Sequence, residues 1–429
     1  MKGKTTIQLF NKHGQRVLKK EKTNLITNMF KTYWEENLNK ALYVDLFRDV
    51  LGNNPNAMMP NPMLLSNGLM LSGNEQAEDA NNWLPEGLPL GYAGAAYSGT
   101  DTKRGTLNET ETGAITNGYN WVWDFATDKA NGLIKAVSLC PQAGGNGSPF
   151  GEICTVNSFS ANISRGVFDK DMTKYTRYAT GGVGYTKSVL NKIQYDSVIG
   201  TTDTSYLLTG YDQDSTPITY KDKVWVIARL TADNKYYLLK TDGEGTVESA
   251  WDLSSKITSP SYLTSGCFGM IDNKMVYISS WSNPYMTFFV YDTDISAFEA
   301  DREYDITANG TSAKYAYANT TETWIDDYGN EMLWINSPSS SSSSYTWSIL
   351  LDKSFNNWCI NGYTPYAYRY SYTMINPGSP CFAIRYSSSY TYLYLRMLTI
   401  AMFSINNLDS PYIEKTSDYT MKVTYQLTW

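Results

Sequence analysis

KDKVWVIARL…KYYLLKTDGEGTVESAW (221–251), DNKMVYISSW…MTFFVYDTDISAF (272–298) and DYGNEMLWINS…YTWSILLDKSFNNW (327–358) are three copies of one loose pattern. Each opens on a turn rich in Asp, Asn, Lys or Gly and continues into a β-branched and aromatic strand. A polar interval and a second aromatic strand follow, then a turn around Asp242, Asp294 or Asp352 and a closing aromatic at Trp251, Phe298 or Trp358. Matching points recur about every 50 to 60 residues, the spacing of propeller blades rather than of helical repeats. A fourth, looser unit is readable at CFAIRYSSSYTYLYLRMLTIAMF, Cys381 to Phe403.

The rest of the chain is read outward from this array. Upstream, TIQLF alternates with period two, Asn11-Lys12-His13-Gly14 supplies a turn, and QRVLKKEKT returns, which predicts a β-hairpin over residues 5–25. Leu25, Ile26, Met29, Phe30, Tyr33 and Trp34 then recur at three and four residues, predicting a helical segment of about 28–51 that Gly52 and Asn53 stop. MLLSNGLMLS reads as strand, Asn67-Gly68 turn and strand. The polar, Gly-rich stretch from Gly73 to Gly118 is long enough to predict a functional loop or one tied down by partners. YNWVWDFATDKANGLIKAVSLC gives two more strands, Tyr119 to Phe125 and Leu133 to Leu139. At the other end, Thr420 to Trp429 is a clean alternating strand, and a strand that closes an array has to pair with something. The N-terminal hairpin is the natural partner, so both chain ends are expected in one sheet.

The expected architecture is therefore mostly β: a β-sandwich-like domain from both chain ends, a short helical segment near the N-terminus, and an inserted β-propeller-like repeat array. The expected division is 1–184 plus 406–429 for the anchoring domain and 185–405 for the array. The serine-rich run Ser337 to Ser344 falls between two strands of the third copy and reads as a loop tip.

Composition agrees and narrows the function. The chain has 429 residues, enough for two or three domains. Charged residues are 18% of it, with 35 tyrosines and 12 tryptophans, residue types that suit pleated, half-buried surfaces. A net charge of −7 gives no electrostatic reason to bind nucleic acid. The basic cluster from Arg16 to Lys22 reads as a solvated hairpin end. Five cysteines show no CxxC spacing and read as small buried hydrophobes; Cys140 and Cys154 close a short loop and are the one pair spaced for a bridge. The polar N-terminus carries no signal-peptide pattern and no apolar run has membrane-spanning length, so synthesis in a cytoplasm, no ordinary secretion and no membrane insertion are expected.

Three stretches resemble virion structural proteins of tailed bacteriophages with low-GC bacterial hosts. The N-terminal hairpin with its following KTNLITN resembles their common opening, WVWDFATDKANGLIKAVSLC a strand pair often seen in them, and EKTSDYTMKVTYQLTW their usual terminal strand. The resemblance covers about a third of the chain. It implies a virion component of tail-fibre, receptor-binding or minor structural type, made in the host cytoplasm, partnered by other tail, collar or capsid proteins, and brings no catalytic motif. Tail parts follow the particle's symmetry, so a homo-oligomer is expected.

Chemistry is sparse. The single histidine, His13, sits in a predicted turn without a nucleophile motif nearby, and no phosphate-cradling or dinucleotide fingerprint occurs. Asp326 with Asp327, and Asp292 with Asp294, are carboxylate pairs of the sort a glycan hydrolase needs, but they occupy turn positions where Asp bonds its own backbone. DTD and DGEG lack a full calcium-loop pattern. Neither cofactor nor metal is expected, and no enzyme activity. The aromatic surplus remains: YTPYAYRYSYT and SSSYTYLYLR make Tyr363, Tyr366, Tyr368, Tyr370, Tyr372, Tyr390 and Tyr392 the candidate ligand-contact residues for a bacterial surface glycan, against ordinary cross-strand packing. The leading expectation is a non-enzymatic, tail-associated adhesive protein. The alternatives are a nozzle, collar or head-decoration protein without receptor binding, and a glycan depolymerase.

Overall fold

The computed structural model describes residues 1–31, 67–87, 89–140, 150–156, 166–168, 174–180, 184–194, 197–213, 215, 217–258, 268–282, 285–305, 320–325, 329–337, 345–355, 357–363, 372–374, 381–387, 391–398 and 401–429. They form a nearly closed β-barrel made by both chain ends and a propeller-like array inserted into it.

The barrel contains β1 (Lys2–Phe10), β2 (Arg16–Ile26), β3 (Gly68–Ser72), β4 (Pro89–Ala93), β5 (Thr106–Leu107), β6 (Gly113–Ile115), β7 (Gly118–Phe125) and β9 (Ala136–Cys140). After the array come β32 (Ser404–Asn407) and β34 (Thr420–Thr428); β8 (Gly132–Ile134) and β33 (Ile413–Lys415) pair separately. The strand order is β4-β3-β9-β32-β2-β1-β34-β7-β5, with β6 also on β7. The free edge of β4 then meets the residues before β5: Tyr92 donates to the Lys103 carbonyl at 2.9 Å and Gly105 to the Tyr92 carbonyl at 2.9 Å. The sheet thus curls until its edges touch, which removes most of the liability of open edges.

The alternation seen in the terminal sequences has a direct cause. Ile7 and Leu9 stand opposite Val423 and Met421, and those two stand opposite Trp123 and Phe125. All six are buried, while Thr6 and Gln8 between them remain partly exposed. Trp121 meets Tyr425 edge-on at 6.1 Å. In the hairpin turn Asn11 Oδ1 accepts the His13 and Gln15 N–H groups, so His13 is a turn residue.

A helix begins at Asn28, capped by the Thr27 hydroxyl accepting the Phe30 N–H at 3.3 Å; residues 32–51 of the expected helical segment lie outside the described residues. Asn67-Gly68 is not a turn: Gly68 is the first residue of β3 and pairs with Cys140. Cys140 is a buried free thiol, its pKa pushed up by burial.

Among the described residues the array shows five successive antiparallel sheets. Blade 1 is β11 (Gly166–Phe168), β12 (Lys174–Thr180), β13 (Gly184–Gln194) and β14 (Ser197–Leu207). Blade 2 is β15 (Tyr211–Gln213) and β16 (Ile218–Tyr220), both on β17 (Lys223–Leu230), then β18 (Tyr236–Thr241) and β19 (Val247–Asp252). Blade 3 is β20 (Phe268–Ile271), β21 (Lys274–Ser282), β22 (Tyr285–Asp292), β23 (Ala297–Phe298) and β24 (Arg302–Asp305). Blade 4 is β25 (Thr320–Ile325), β26 (Glu331–Ser337), β27 (Tyr345–Asp352) and β28 (Asn357–Tyr363). Blade 5 is β29 (Tyr372–Met374), β30 (Cys381–Ser387) and β31 (Thr391–Leu398), completed by β10 (Phe150–Val156) from the start of the array. Strands β11 and β29 touch, so blade 5 returns to blade 1.

The quoted copies are blades 2, 3 and 4, and the looser unit is two strands of blade 5. Because β10, β11 and β12 belong to the array, its sheets begin at Phe150 rather than at 185, and β32, from Ser404, belongs to the barrel. The copies do not reveal β10 because it pairs with a strand some 240 residues later, a non-local contact that leaves no repeat in sequence. Strands β9 and β32, which lead into and out of the array, are neighbours: Asn406 pairs with Val137, and Phe403 N–H donates to the Leu139 carbonyl at 2.7 Å. The array therefore leaves and re-enters the barrel one strand apart.

The basic cluster has a specific use in this barrel. Lys20 donates to the Asp409 and Pro411 carbonyls and Lys22 pairs with the Asp409 carboxylate at 2.8 Å, so β2 holds the loop before β33. That loop delivers Lys415, only 1% exposed, whose ammonium donates to the Thr127 carbonyl at 3.2 Å and Asn131 Oδ1 at 2.8 Å. Burial lowers its pKa to about 8, with the Asp128 charge pulling weakly the other way. Between that value and the ordinary lysine value of 10.5 the unfolded chain binds a proton the folded one lacks, so stability gains up to about 1.4 kcal/mol per pH unit over this window. Unfolding measured from pH 7.5 to 10 in the wild type and in Lys415→Met should show a rise that the variant lacks. Equal slopes would mean the ammonium is solvated. The comparison of the two proteins cancels the tyrosines, which oppose the rise above about pH 10.

Candidate functional site: the inter-blade turns

The repeated turns that open the first two sequence copies are two-residue hairpins inside blades 2 and 3, Lys221-Asp222 (φ 48° and 58°) and Asp272-Asn273 (φ 48° and 58°). Both central residues are left-handed, as a type I′ turn requires, and Asp and Asn tolerate this at little cost. In blade 4 the corresponding connection ends with Gly329 (φ 82°) and Asn330 and leads into Glu331.

These three turns meet around the Glu331 carboxylate, a residue only 4% exposed. Its Oε2 accepts the Tyr220 hydroxyl at 2.9 Å and the Asp272 N–H at 2.7 Å, and its Oε1 pairs with the Lys221 ammonium at 3.1 Å. The Tyr220 oxygen in turn accepts the Asn273 N–H at 2.9 Å, and Lys221 also donates to Asn273 Oδ1 at 3.1 Å. Burial pushes the Glu331 pKa up, but the hydrogen bonds from Asp272, Tyr220 and Lys221 outweigh it, and the group is held below the usual range. Tyr220 is pushed up to about 12, chiefly by burial. A carboxylate this well satisfied has no proton to give at neutral pH and no room for a reacting group. It is a charged clamp that joins blades 2, 3 and 4.

Tyrosine hydroxyls also join blade 1 to blade 2 and blade 3 to blade 4. Tyr185 of blade 1 lies 2.9 Å from Thr241 Oγ1 and accepts the Gly245 N–H of blade 2 at 3.0 Å. Tyr304 of blade 3 donates to the Phe355 carbonyl of blade 4 at 3.1 Å, and the Arg302 guanidinium lies 4.1 Å over the Phe355 ring. Gly245, Ser296 and Phe355 close the later repeated turn, each left-handed at φ 92°, 55° and 59°. Such a conformation is costly for a bulky side chain, and burial of Phe355 in the core between blades 3 and 4 offsets it.

Of the expected contact tyrosines, Tyr363, Tyr372 and Tyr392 are placed by backbone on β28, β29 and β31, with side chains outside the described residues. Tyr366, Tyr368, Tyr370 and Tyr390 lie outside the described residues, as do Asp326 and Asp327. Asp292 and Asp294 do turn work: Asp292 Oδ1 accepts the Asp294 N–H at 2.9 Å and Oδ2 faces Lys274 at 3.6 Å, and Asp294 accepts from Asn273 Nδ2 at 3.3 Å. Asp242 likewise accepts the Glu244 and Thr246 N–H groups. Closing aromatics pack within their blades: Trp251 stacks on Trp225 at 5.5 Å and 15°, and Phe298 meets Tyr291 edge-on at 4.8 Å. No cluster of His, Cys, Asp and Glu suited to a metal exists among the described residues, and no helix among them is long and apolar enough to cross a membrane. Sequence reasoning passed over Glu331; its one signal was its place directly after a repeated turn.

No protein-family description matches the chain, and no curated protein does. Among solved structures it is similar to Bacteroides ovatus Xyloglucan PUL GH43B, at 11% identity over 60% of this chain and 59% of that one, with a TM-score of 0.28. It is similar also to TolB from Acinetobacter baumannii (7%, 70% of this chain and 81% of that one, TM-score 0.28). A third is the β-propeller domain of the Trilobed protease from Pyrococcus furiosus (10%, 74% and 97%, TM-score 0.24). At these TM-scores the likenesses carry no argument about function.

Proposed function

We propose that this chain is a structural protein of a tailed-bacteriophage particle, tail-associated, with the barrel as its anchor and the propeller-like array as a projecting, host-recognising unit. The observation that carries this reading is where the phage-like stretches fall. The opening hairpin, WVWDF and the terminal strand form the adjacent strands β2-β1-β34-β7, and Lys415 ties EKT to the ATDKANG turn. The resemblance thus follows one continuous surface of one barrel, and the array is an insertion at the β9–β32 seam. A shared base with a separate inserted head is the economy expected of an adhesive virion part. Other virion proteins and further copies of this chain are its partners, and a bacterial surface glycan is its ligand class.

The test is binding of the purified full chain to intact cells of a panel of low-GC bacterial strains, beside a variant lacking 141–402. Saturable binding to some strains, lost in a variant whose barrel still shows its β-sheet spectrum, supports the adhesin. Absence of binding by the full, oligomeric protein to every strain would move the reading to an assembly component of the virion wall.

A further inference from the structure

Arg104 sits where the barrel closes, bridged through its backbone to Tyr92. The residue is 4% exposed, its Nε is sealed from solvent with no acceptor, and its guanidinium makes no hydrogen bond or ion pair among the described residues. Its one side-chain contact of note is the Tyr97 ring, 4.2 Å from Cζ. The carboxylate nearest in sequence, Asp101, is committed elsewhere: it accepts the Tyr92 hydroxyl and, at 2.9 Å, the Lys103 N–H. The neighbouring Lys129 is also buried but is satisfied by the Gly99 and Asp101 carbonyls at 3.2 and 2.8 Å, with Asp128 at 3.3 Å. Among the described residues Arg104 is therefore the one buried cation of this seam without a protein acceptor.

Buried charges in proteins are paired, because an unpaired one is strongly unfavourable. The seat is also fixed in advance. Tyr97 N–H donates to Thr106 Oγ1 at 2.9 Å and the Tyr97 hydroxyl accepts the Asp101 N–H at 3.0 Å, which holds the ring against the guanidinium. Gly105, the next residue, has no room for a side chain because Phe125 packs into that space beside the seat. The guanidinium lies over the Tyr97 ring, and its terminal nitrogens are donors of the kind that take a carboxylate by paired hydrogen bonds.

We propose that Arg104, oriented by Tyr97, is a receptor for a carboxylate, supplied either by a small free acid or by an acidic side chain of a neighbouring subunit. It lies in the Gly73–Gly118 stretch, whose length predicted a functional loop or one tied down by partners and which carries β4, β5 and β6 in the barrel. The test follows the arginine Nε–H resonances of the isotope-labelled full chain during titration with sodium acetate, and separately with a blocked glutamate peptide, at constant ionic strength. One resonance, assigned as the one missing in Arg104→Lys, should shift saturably with at least one titrant. A response to both marks a general carboxylate seat, and a response to the peptide alone marks a docking contact. No saturable shift with either titrant in the wild type overturns the proposal, and needs no variant to fold. A saturable shift in resonances that Arg104→Lys retains unchanged overturns it too.

Discussion

Glu331→Ala is expected to lower the stability of the array by about 3 kcal/mol, the cost of stripping buried donors of their shared acceptor. The substitution leaves the Tyr220 hydroxyl and the Asp272 N–H facing each other across a hole, and Lys221 without its partner. Lys221 is 45% exposed and recovers water, so most of the loss comes from the buried Tyr220 hydroxyl and the part-buried Asp272 N–H. Glu331→Gln keeps an acceptor oxygen in place and should cost about 1 kcal/mol. The two variants also separate in acid. A carboxylate with a depressed folded pKa contributes stability that is present above its ordinary value of 4.5 and is lost as pH falls through the lower folded value. Wild-type array should therefore weaken below about pH 4.5, and Glu331→Gln should show less of that weakening. The stacked Trp225–Trp251 pair supplies a local probe, because its exciton signal in circular dichroism disappears when blade 2 opens. If Glu331→Ala melts with the wild type by that signal, the node is an incidental contact and the blades are held by their apolar cores alone.

That node shows where sequence reading stopped. The repeat was legible because each blade builds its hairpins from near neighbours, and local pairing imprints period and turn chemistry on the sequence. Asp242 and Asp292 could be read as turn residues because their carboxylates serve N–H groups two to four positions away. The pairing of β1 with β34 was legible as well, since two alternating strands at the chain ends each needed a partner. The functions of Glu331, Tyr185 and Tyr304 were not, because each acts across a blade boundary and nothing in a single sequence says which turns converge. Tyrosine abundance was a true signal with two meanings. The described tyrosines at the junctions use their rings for packing and their hydroxyls to satisfy backbone or carboxylate groups of the next blade. Arg104 was hidden for the opposite reason: its meaning lies in the partner it lacks, and only burial makes that visible.

Trp123→Ala should be the most damaging single change in the barrel, costing roughly 3 to 5 kcal/mol through the cavity it leaves. The side chain is fully buried, stands opposite Val423 of the terminal strand, and its Nε1 donates to the Asn67 carbonyl at 3.0 Å, so the loss is one of volume and of a hydrogen bond. The effect should stay in the barrel. The array joins it through the β9–β32 seam and a few side contacts, such as Asn330 Nδ2 donating to the Asn81 carbonyl at 2.8 Å, and it has its own apolar cores between blades. In urea the Trp225–Trp251 exciton signal of Trp123→Ala should keep the wild-type midpoint, while protease cleavage within residues 1–31 and 401–429 appears at lower urea. Glu331→Ala should give the reverse pattern. If either substitution moves both readouts together, barrel and array unfold as one unit. A base that keeps its fold when the head is removed would then be untenable, and with it the expectation that a variant lacking 141–402 can serve as the control for host binding.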